Sequence, residues 1–113
     1  MKREIKFRGK GSDGKWYHGN SLINTKTGCS IVDFDDNYYN VYSETVGQFT
    51  GLHDKNGKKI YEGDIVKTGR VNQYVFFSKG NFVLELGDYL SDCYKNIEVV
   101  GNIHDNKELL KTE

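Results

Sequence analysis

TGLHDKNGKKIYEGDIV, Thr50 to Val66, decides how this chain is read. Asn56-Gly57 lies between arms carrying Leu52, Ile60 and Tyr61. An Asn-Gly pair in that setting is the strongest short-range sign of a β-hairpin, because both residues tolerate the positive φ a tight turn needs. Glu62-Gly63-Asp64 gives a second turn signal directly before Ile65-Val66. Turns this close leave room only for short strands, so the stretch predicts a β fold built from hairpins.

The pattern continues in both directions. Upstream, Glu4-Ile5-Lys6-Phe7-Arg8 alternates, with Ile5 and Phe7 on one face. Asp13-Gly14 predicts a type I′ turn, and Trp16 to Ile23 reads as the return strand. Thr25 to Gly28 turns, Cys29 to Phe34 is a strand, Asp35-Asp36-Asn37 turns, and Tyr38 to Tyr42 returns. Ser43 to Val46 is a connector with room for one helical turn, Ser43 as its N-cap. Gly47 to Leu52 is extended. Downstream, Ile65 to Thr68, Val71 to Phe77, Phe82 to Leu86 and Ile97 to Ile103 read as strands, with a turn at Lys79-Gly80-Asn81. Residues 87–96 read as a tyrosine-containing loop, and Asp105 or Asn106 caps a short helix from Lys107 to Lys111. The expected fold class is all-β: about nine or ten short strands in hairpins, forming one or two small barrel-like subdomains with a short C-terminal helix. The expected organisation is a single domain over residues 1–113, weakest near 42–46.

Composition supports that reading. The chain has no proline against an average usage of about 5%, so its thirteen glycines, with Asn and Asp, must make the turns. A chain of 113 residues supports one thin core, or two very small ones. Lys plus Arg equals Asp plus Glu at 16 each, which indicates neither a strongly basic nucleic-acid binder nor an acidic mimic of DNA. The charge alternates in blocks. Residues 1–16 carry six basic and two acidic side chains, 17–54 one and five, 55–79 six and two, and 80–113 three and seven. The plain account is that a small β protein sets oppositely charged segments side by side. The sharper account is a bipolar surface for self-association or for a partner. Met1-Lys2-Arg3-Glu4 leads into an alternating strand, not an apolar signal run, and no stretch approaches the length of a membrane helix. The chain is therefore expected in the cytoplasm, away from membrane, with Cys29 and Cys93 reduced.

The chemistry-bearing residues do not assemble a catalytic pattern. His18, His53 and His104 lack metal-site spacing, and the neighbouring His53-Asp54 and His104-Asp105 would point to opposite faces of a strand. Asp33, Asp35 and Asp36 resemble half of a calcium loop without its glycine and distal glutamate, so a solvated turn is the better reading. Gly9-Lys10-Gly11 is not a phosphate-cradling loop. No metal, cofactor or catalytic group is expected. The tyrosines carry more weight. Tyr38, Tyr39, Tyr42, Tyr61, Tyr74, Tyr89 and Tyr94, with Phe76 and Phe77, would fill a thin core and its rim. Beside Lys67, Arg70 and Lys79 they could also stack single-stranded bases or meet another protein.

Three separated stretches carry a resemblance. They are Arg3-Glu4-Ile5-Lys6-Phe7-Arg8-Gly9, then Glu44 to Leu52 with Asp54-Lys55-Asn56-Gly57 and Ile60 to Val66, and last Val100 to Asn106 with Glu108-Leu109-Leu110. Together they resemble the YopX family, over almost the whole chain. Ser43 and Lys107 stand where that family often has proline, which touches turn rigidity. The resemblance implies a small, mainly β protein encoded by phages and prophages, mostly of Gram-positive bacteria, with two β subdomains and no established enzymatic activity. It implies no catalytic residues to carry over. Within the signature, Asn56-Gly57, Gly51, Gly63, Ile60, Ile65 and Val66 read as scaffold. Tyr61, Glu62, Asp64, Lys67 and Arg70 are the candidate partner-binding residues, Asp64 having a backbone hydrogen bond at the turn as its alternative role. The expected function is a non-enzymatic accessory protein that self-associates and binds a host or phage protein, inhibition of a host defence included. The alternative is a nucleic-acid-binding module on the strands around residues 58–82.

Overall fold

In the computed structural model, residues 4–110 are described, and they form eleven strands. The chain divides into two units between Phe49 and Thr50. The first unit holds β1 (Phe7–Lys10), β2 (Trp16–Gly19), β3 (Ser21–Thr25), β4 (Gly28–Val32) and β5 (Tyr38–Val41). β6 (Gly47–His53) runs across the division. The second unit adds β7 (Lys59–Tyr61), β8 (Asp64–Thr68), β9 (Val71–Ser78), β10 (Asn81–Leu84), a one-turn helix α1 (Leu90–Cys93) and β11 (Glu98–Asn102). All pairings between these strands with a described register are antiparallel. The sheets are open, ordered β2-β1-β6-β7, β3-β4-β5 and β10-β9-β8-β11. The small β subdomains that the hairpin pattern predicts are present, without closure into a barrel.

One turn geometry recurs four times, at Gly11–Lys15, Asp33–Asn37, Asp54–Lys58 and Leu84–Asp88. In each, the first residue's N–H donates to the fifth residue's carbonyl, and its own carbonyl accepts from the fourth residue's N–H. The fourth position is left-handed: Gly14, Asp36, Gly57 and Gly87 have φ of 80°, 63°, 84° and 108°. This corrects the type I′ turn expected at Asp13-Gly14, which would need positive φ at both residues. Asp13 does not have it. The loop is a type I turn followed by a left-handed residue, the usual three-residue hairpin connection.

A true two-residue loop with both residues left-handed occurs at Lys79-Gly80, with φ of 50° and 84°. Lys79 lacks the short polar side chain that makes this conformation tolerable for Asn. Replacing Lys79 with Asn should therefore stabilise the second unit by about 0.5–1 kcal/mol. A higher urea midpoint with an unchanged slope would show it; a lower midpoint would refute the turn assignment.

Several segments differ from the alternation pattern: β1 starts at Phe7, leaving Glu4 to Lys6 outside it, and β10 ends at Leu84, leaving Leu86 in the following turn. Trp16 to Ile23 is not one strand. β2 ends at Gly19, Asn20 donates to the Val32 carbonyl at 3.1 Å, and β3 starts in a different sheet. β4 stops at Val32, so Phe34 lies in the turn instead of the strand. Residues 87–96 are not a plain loop: α1 and a 3-10 turn at Tyr94–Asn96 carry Leu90 into the core, where it is 0% exposed. The connector Ser43–Thr45 is a single 3-10 turn inside the first unit. Tyr42, not Ser43, holds its N-cap position, and the Thr45 hydroxyl stabilises the turn by donating to the Tyr42 carbonyl at 2.6 Å. That hydroxyl also accepts the Lys10 N–H at 2.8 Å, tying the turn to β1. The terminal helix is a 3-10 turn over Lys107–Leu110, and its expected end at Lys111 lies outside the described residues.

Each unit has its own apolar cluster. In the first, Cys29, Ile31 and Val41 pack with Phe7, Tyr17 and Val46. In the second, Ile60, Val66, Val75, Leu84, Leu90, Ile97 and Val99 pack with Leu52, Phe82, Cys93 and Tyr94.

Candidate functional site

The signature stretch is built first as a folding device. Asp54 opens the Asp54–Lys58 turn, and its Oδ1 accepts the backbone N–H groups of Asn56 and Lys58, both at 2.9 Å. Its Oδ2 accepts the Val99 N–H at 2.9 Å, forty-five residues away. Lys55 adds a backbone bond to the Ile97 carbonyl at 3.0 Å. One carboxylate thus shapes the hairpin and ties it to β11. Burial pushes the Asp54 carboxyl pKa up, but the donated N–H groups of Val99, Lys58 and Asn56 outweigh it, and the net shift is downward. Asp64 accepts the Tyr61 N–H at 2.7 Å, and Gly63 joins its own turn to Val75 and Ile103 through backbone bonds of 2.8 and 2.9 Å.

The five candidate residues therefore do not converge on one surface. Tyr61 and Asp64 are 6% and 2% exposed, and Glu62 is half-buried. Lys67 on β8 and Arg70 in the β8–β9 loop are exposed. The register sets Lys67 beside Asn72 on one side and Glu98 on the other. By strand alternation Lys67 shares a face with Tyr74 and Phe76, whose rings meet at 5.6 Å. Arg70 and Lys79 flank β9 at opposite ends, and its eight residues span roughly 26 Å at the usual strand rise. Lys67 and Arg70 thus lie toward one end of β9 and Lys79 beyond the other, so the three basic residues do not form one cluster.

The first unit presents a more defined feature. Ile5, Lys6, His18, Asn20, Asp33 and Phe34 line a cleft of about 350 Å³. Phe34 is 87% exposed and Ile5 53% exposed on its rim. The Asp33–Asn37 turn holds Phe34 outward, and it repeats the chemistry of the Asp54 turn. Asp33 Oδ1 accepts the Asp35 and Asn37 N–H groups, both at 2.9 Å. Its Oδ2 accepts the Asn37 side-chain amide and the Tyr39 hydroxyl, both at 3.1 Å. The Asn37 N–H bond is the main reason the Asp33 carboxyl sits below its usual pKa. The half calcium loop is thus a self-satisfied turn, and among the described residues no group of His, Cys, Asp and Glu is placed to hold a metal. Beside the turn, Tyr39 stacks on Tyr17 with centroids 4.6 Å apart, and the Tyr17 hydroxyl donates to Asp13. In the cleft wall, desolvation pushes the His18 imidazole pKa down, and the Lys6 and Arg8 charges add to it.

The sequence pattern does not mark Phe34 and Ile5 as site residues: alternation puts Phe34 at the end of a strand and Ile5 on a strand face with Phe7. The available signal was Phe34 flanked by Asp33 and Asp35-Asp36, an aromatic residue inside a run of turn formers.

No curated protein matches the chain. A family model described as YopX protein matches residues 6–111. Among solved structures, the chain is similar to the crystal structure of protein EF1440 from Enterococcus faecalis, with a TM-score of 0.62 and 24% sequence identity. That likeness covers 95% of this chain and 98% of the other, and it is a likeness of fold. Among the described residues no helix is long and apolar enough to cross a membrane.

Proposed function

We propose that this chain, which belongs to the YopX family, is a non-enzymatic accessory protein of phage or prophage that binds another protein in the cytoplasm of the host. The observation that carries the reading is Phe34, held out at 87% exposure beside Ile5 by a turn whose carboxylate is fully engaged. The bonds to Asp33 already order the backbone that carries this ring, which lowers the ordering cost of binding, and exposed aromatic residues beside a cleft are common anchors of protein interfaces. The partner would place an apolar side chain against Phe34 and Ile5. Modulation of a host or phage complex, with inhibition of a defence nuclease as one form of it, is the role that fits such a surface in this family.

The test compares tagged wild type with Phe34→Ala as baits in lysate of the bacterial host, with and without nuclease. The expected result is one stoichiometric protein that survives nuclease and is lost at least about tenfold with Phe34→Ala, as for an interface anchor. The thermal midpoint should be unchanged, because the side chain packs against little. Equal capture by both baits would overturn the assignment of Phe34.

One observation favours the nucleic-acid reading, namely Lys67 on the face of the Tyr74–Phe76 pair, with Arg70 exposed in the following β8–β9 loop. Under that reading the captured material is nuclease-sensitive, falls steeply with salt, and weakens with Lys67→Ala or Arg70→Ala instead of Phe34→Ala.

A further inference from the structure

The edge of the β3-β4-β5 sheet carries a second inference, independent of Phe34. Among the described residues β3 has β4 as its one strand neighbour, and all five of its residues, Ser21-Leu22-Ile23-Asn24-Thr25, are exposed. Edge strands are ordinarily blunted by lysine, proline, a bulge or an inward charge. β3 has none of these: it is uncharged, and its register to β4 is unbroken from Ser21↔Val32 to Thr25↔Gly28.

The register also fixes what the free edge offers. Thr25 and Gly28 flank the two-residue loop Lys26-Thr27 and so form a hydrogen-bonded pair. By alternation Ile23 and Ser21 also turn their backbone groups toward β4, and Leu22 and Asn24 turn theirs to the free edge. Those four groups are arranged symmetrically about Ile23. An antiparallel copy of the same strand, related by a two-fold axis through Ile23, pairs Leu22 with the partner's Asn24 and satisfies all four. Ile23 then faces its own copy in a non-hydrogen-bonded pair, where side chains approach most closely. The flanking charge suits this arrangement and not a parallel one. Lys26 lies three residues from Ile23, so the two-fold places the two Lys26 residues roughly 20 Å apart, whereas parallel stacking would set them side by side.

We infer that β3 pairs with β3 of a second copy of this chain, joining two three-stranded sheets into one six-stranded sheet across a two-fold axis at Ile23. The contact is isologous, and its small area makes it a reversible association.

Sedimentation velocity over a concentration series tests it. Wild type should show a monomer–dimer equilibrium, and Ile23→Lys, which sets like charges opposite each other, should raise the dissociation constant by about tenfold or more. Phe34→Ala should leave it unchanged, which separates this inference from the partner reading. Register is tested by oxidation in a Cys93→Ser background. Ile23→Cys should cross-link to its own copy, since a non-hydrogen-bonded pair lies about 4.5 Å apart at Cα and within disulfide reach. Ser21→Cys should not, because two such positions stand roughly 13 Å apart along the strands. A wild type monomeric at about 1 mM, a dimer indifferent to Ile23→Lys, or faster cross-linking at Ser21→Cys than at Ile23→Cys would each overturn the pairing.

Discussion

Asp54→Ala should lower the stability of the second unit by about 4 kcal/mol, since hydrogen bonds to a charged group are worth roughly 1.5–3 kcal/mol each and are not additive. Three backbone N–H groups lose their acceptor at once. Two belong to the turn and can reach water when it opens. The Val99 N–H lies in the second unit's core and cannot. Asp54→Asn gives a sharper reading. Its amide oxygen can still accept the two turn bonds, but its NH₂ then faces the Val99 N–H, donor against donor. That variant should cost about 2 kcal/mol. Urea unfolding at neutral pH should therefore rank wild type, Asn and Ala in that order. If Asn were as stable as wild type, the bond to Val99 would contribute nothing.

The same carboxylate sets an acid dependence. Its folded pKa lies below the unfolded value of about 4. A depressed carboxylate contributes fully above the unfolded pKa, and the contribution is lost as pH falls through the folded one. Wild-type stability should thus drop below about pH 4 more steeply than that of Asp54→Asn, which has nothing to titrate there. Asp33, depressed by its own turn bonds, adds a similar dependence in the first unit. Parallel acid limbs for wild type and Asp54→Asn would assign the drop to other groups.

The turns were largely legible in the sequence because they are local. Asn56-Gly57, Asp13-Gly14, Asp36-Asn37 and Lys79-Gly80 all mark real reversals. What a dipeptide does not show is whether one or both of its residues are left-handed, and so the turn type at Asp13-Gly14 was misread. Contacts across the chain were invisible for a different reason. Nothing near Asp54 points to Val99, and nothing near Leu90 marks a four-residue helix as core. Period-2 alternation also carries no record of which sheet a strand joins, so Trp16 to Ile23 read as continuous. The candidate site suffered most. Tyr61, Glu62, Asp64, Lys67 and Arg70 lie within ten residues, but turns reverse the facing of neighbours within that span. Composition alone does not say that Asp64 points inward and Arg70 outward. Phe34 and the bare edge of β3 are features of exposure, which only the fold reveals.

Gly19→Ala should destabilise the first unit by about 3 kcal/mol, at the upper end of what overpacking costs. Gly19 pairs with Phe7 at the end of β2, where the chain leaves one sheet for the next. A Cβ there would lie 2.3 Å from the Val32 carbonyl oxygen, 2.7 Å from its carbon and 2.6 Å from the Ile31 Cγ2. Two of those atoms are backbone of β4, the middle strand of its sheet, so moving them strains ladders on both sides. Gly14→Ala is the control. Its Cβ meets open space, but its φ is +80°, so its cost is conformational and about 1 kcal/mol. Differential scanning calorimetry should place Gly19→Ala well below Gly14→Ala in midpoint. The reverse order would mean that the sheet change at Gly19 is set by backbone conformation and not by close approach. The effect should carry through to function. Gly19 and Asn20 border the Phe34 cleft, and β3 starts at the next residue. At a temperature where Gly19→Ala has melted the first unit, Phe34-dependent capture and β3-dependent dimerisation should both disappear.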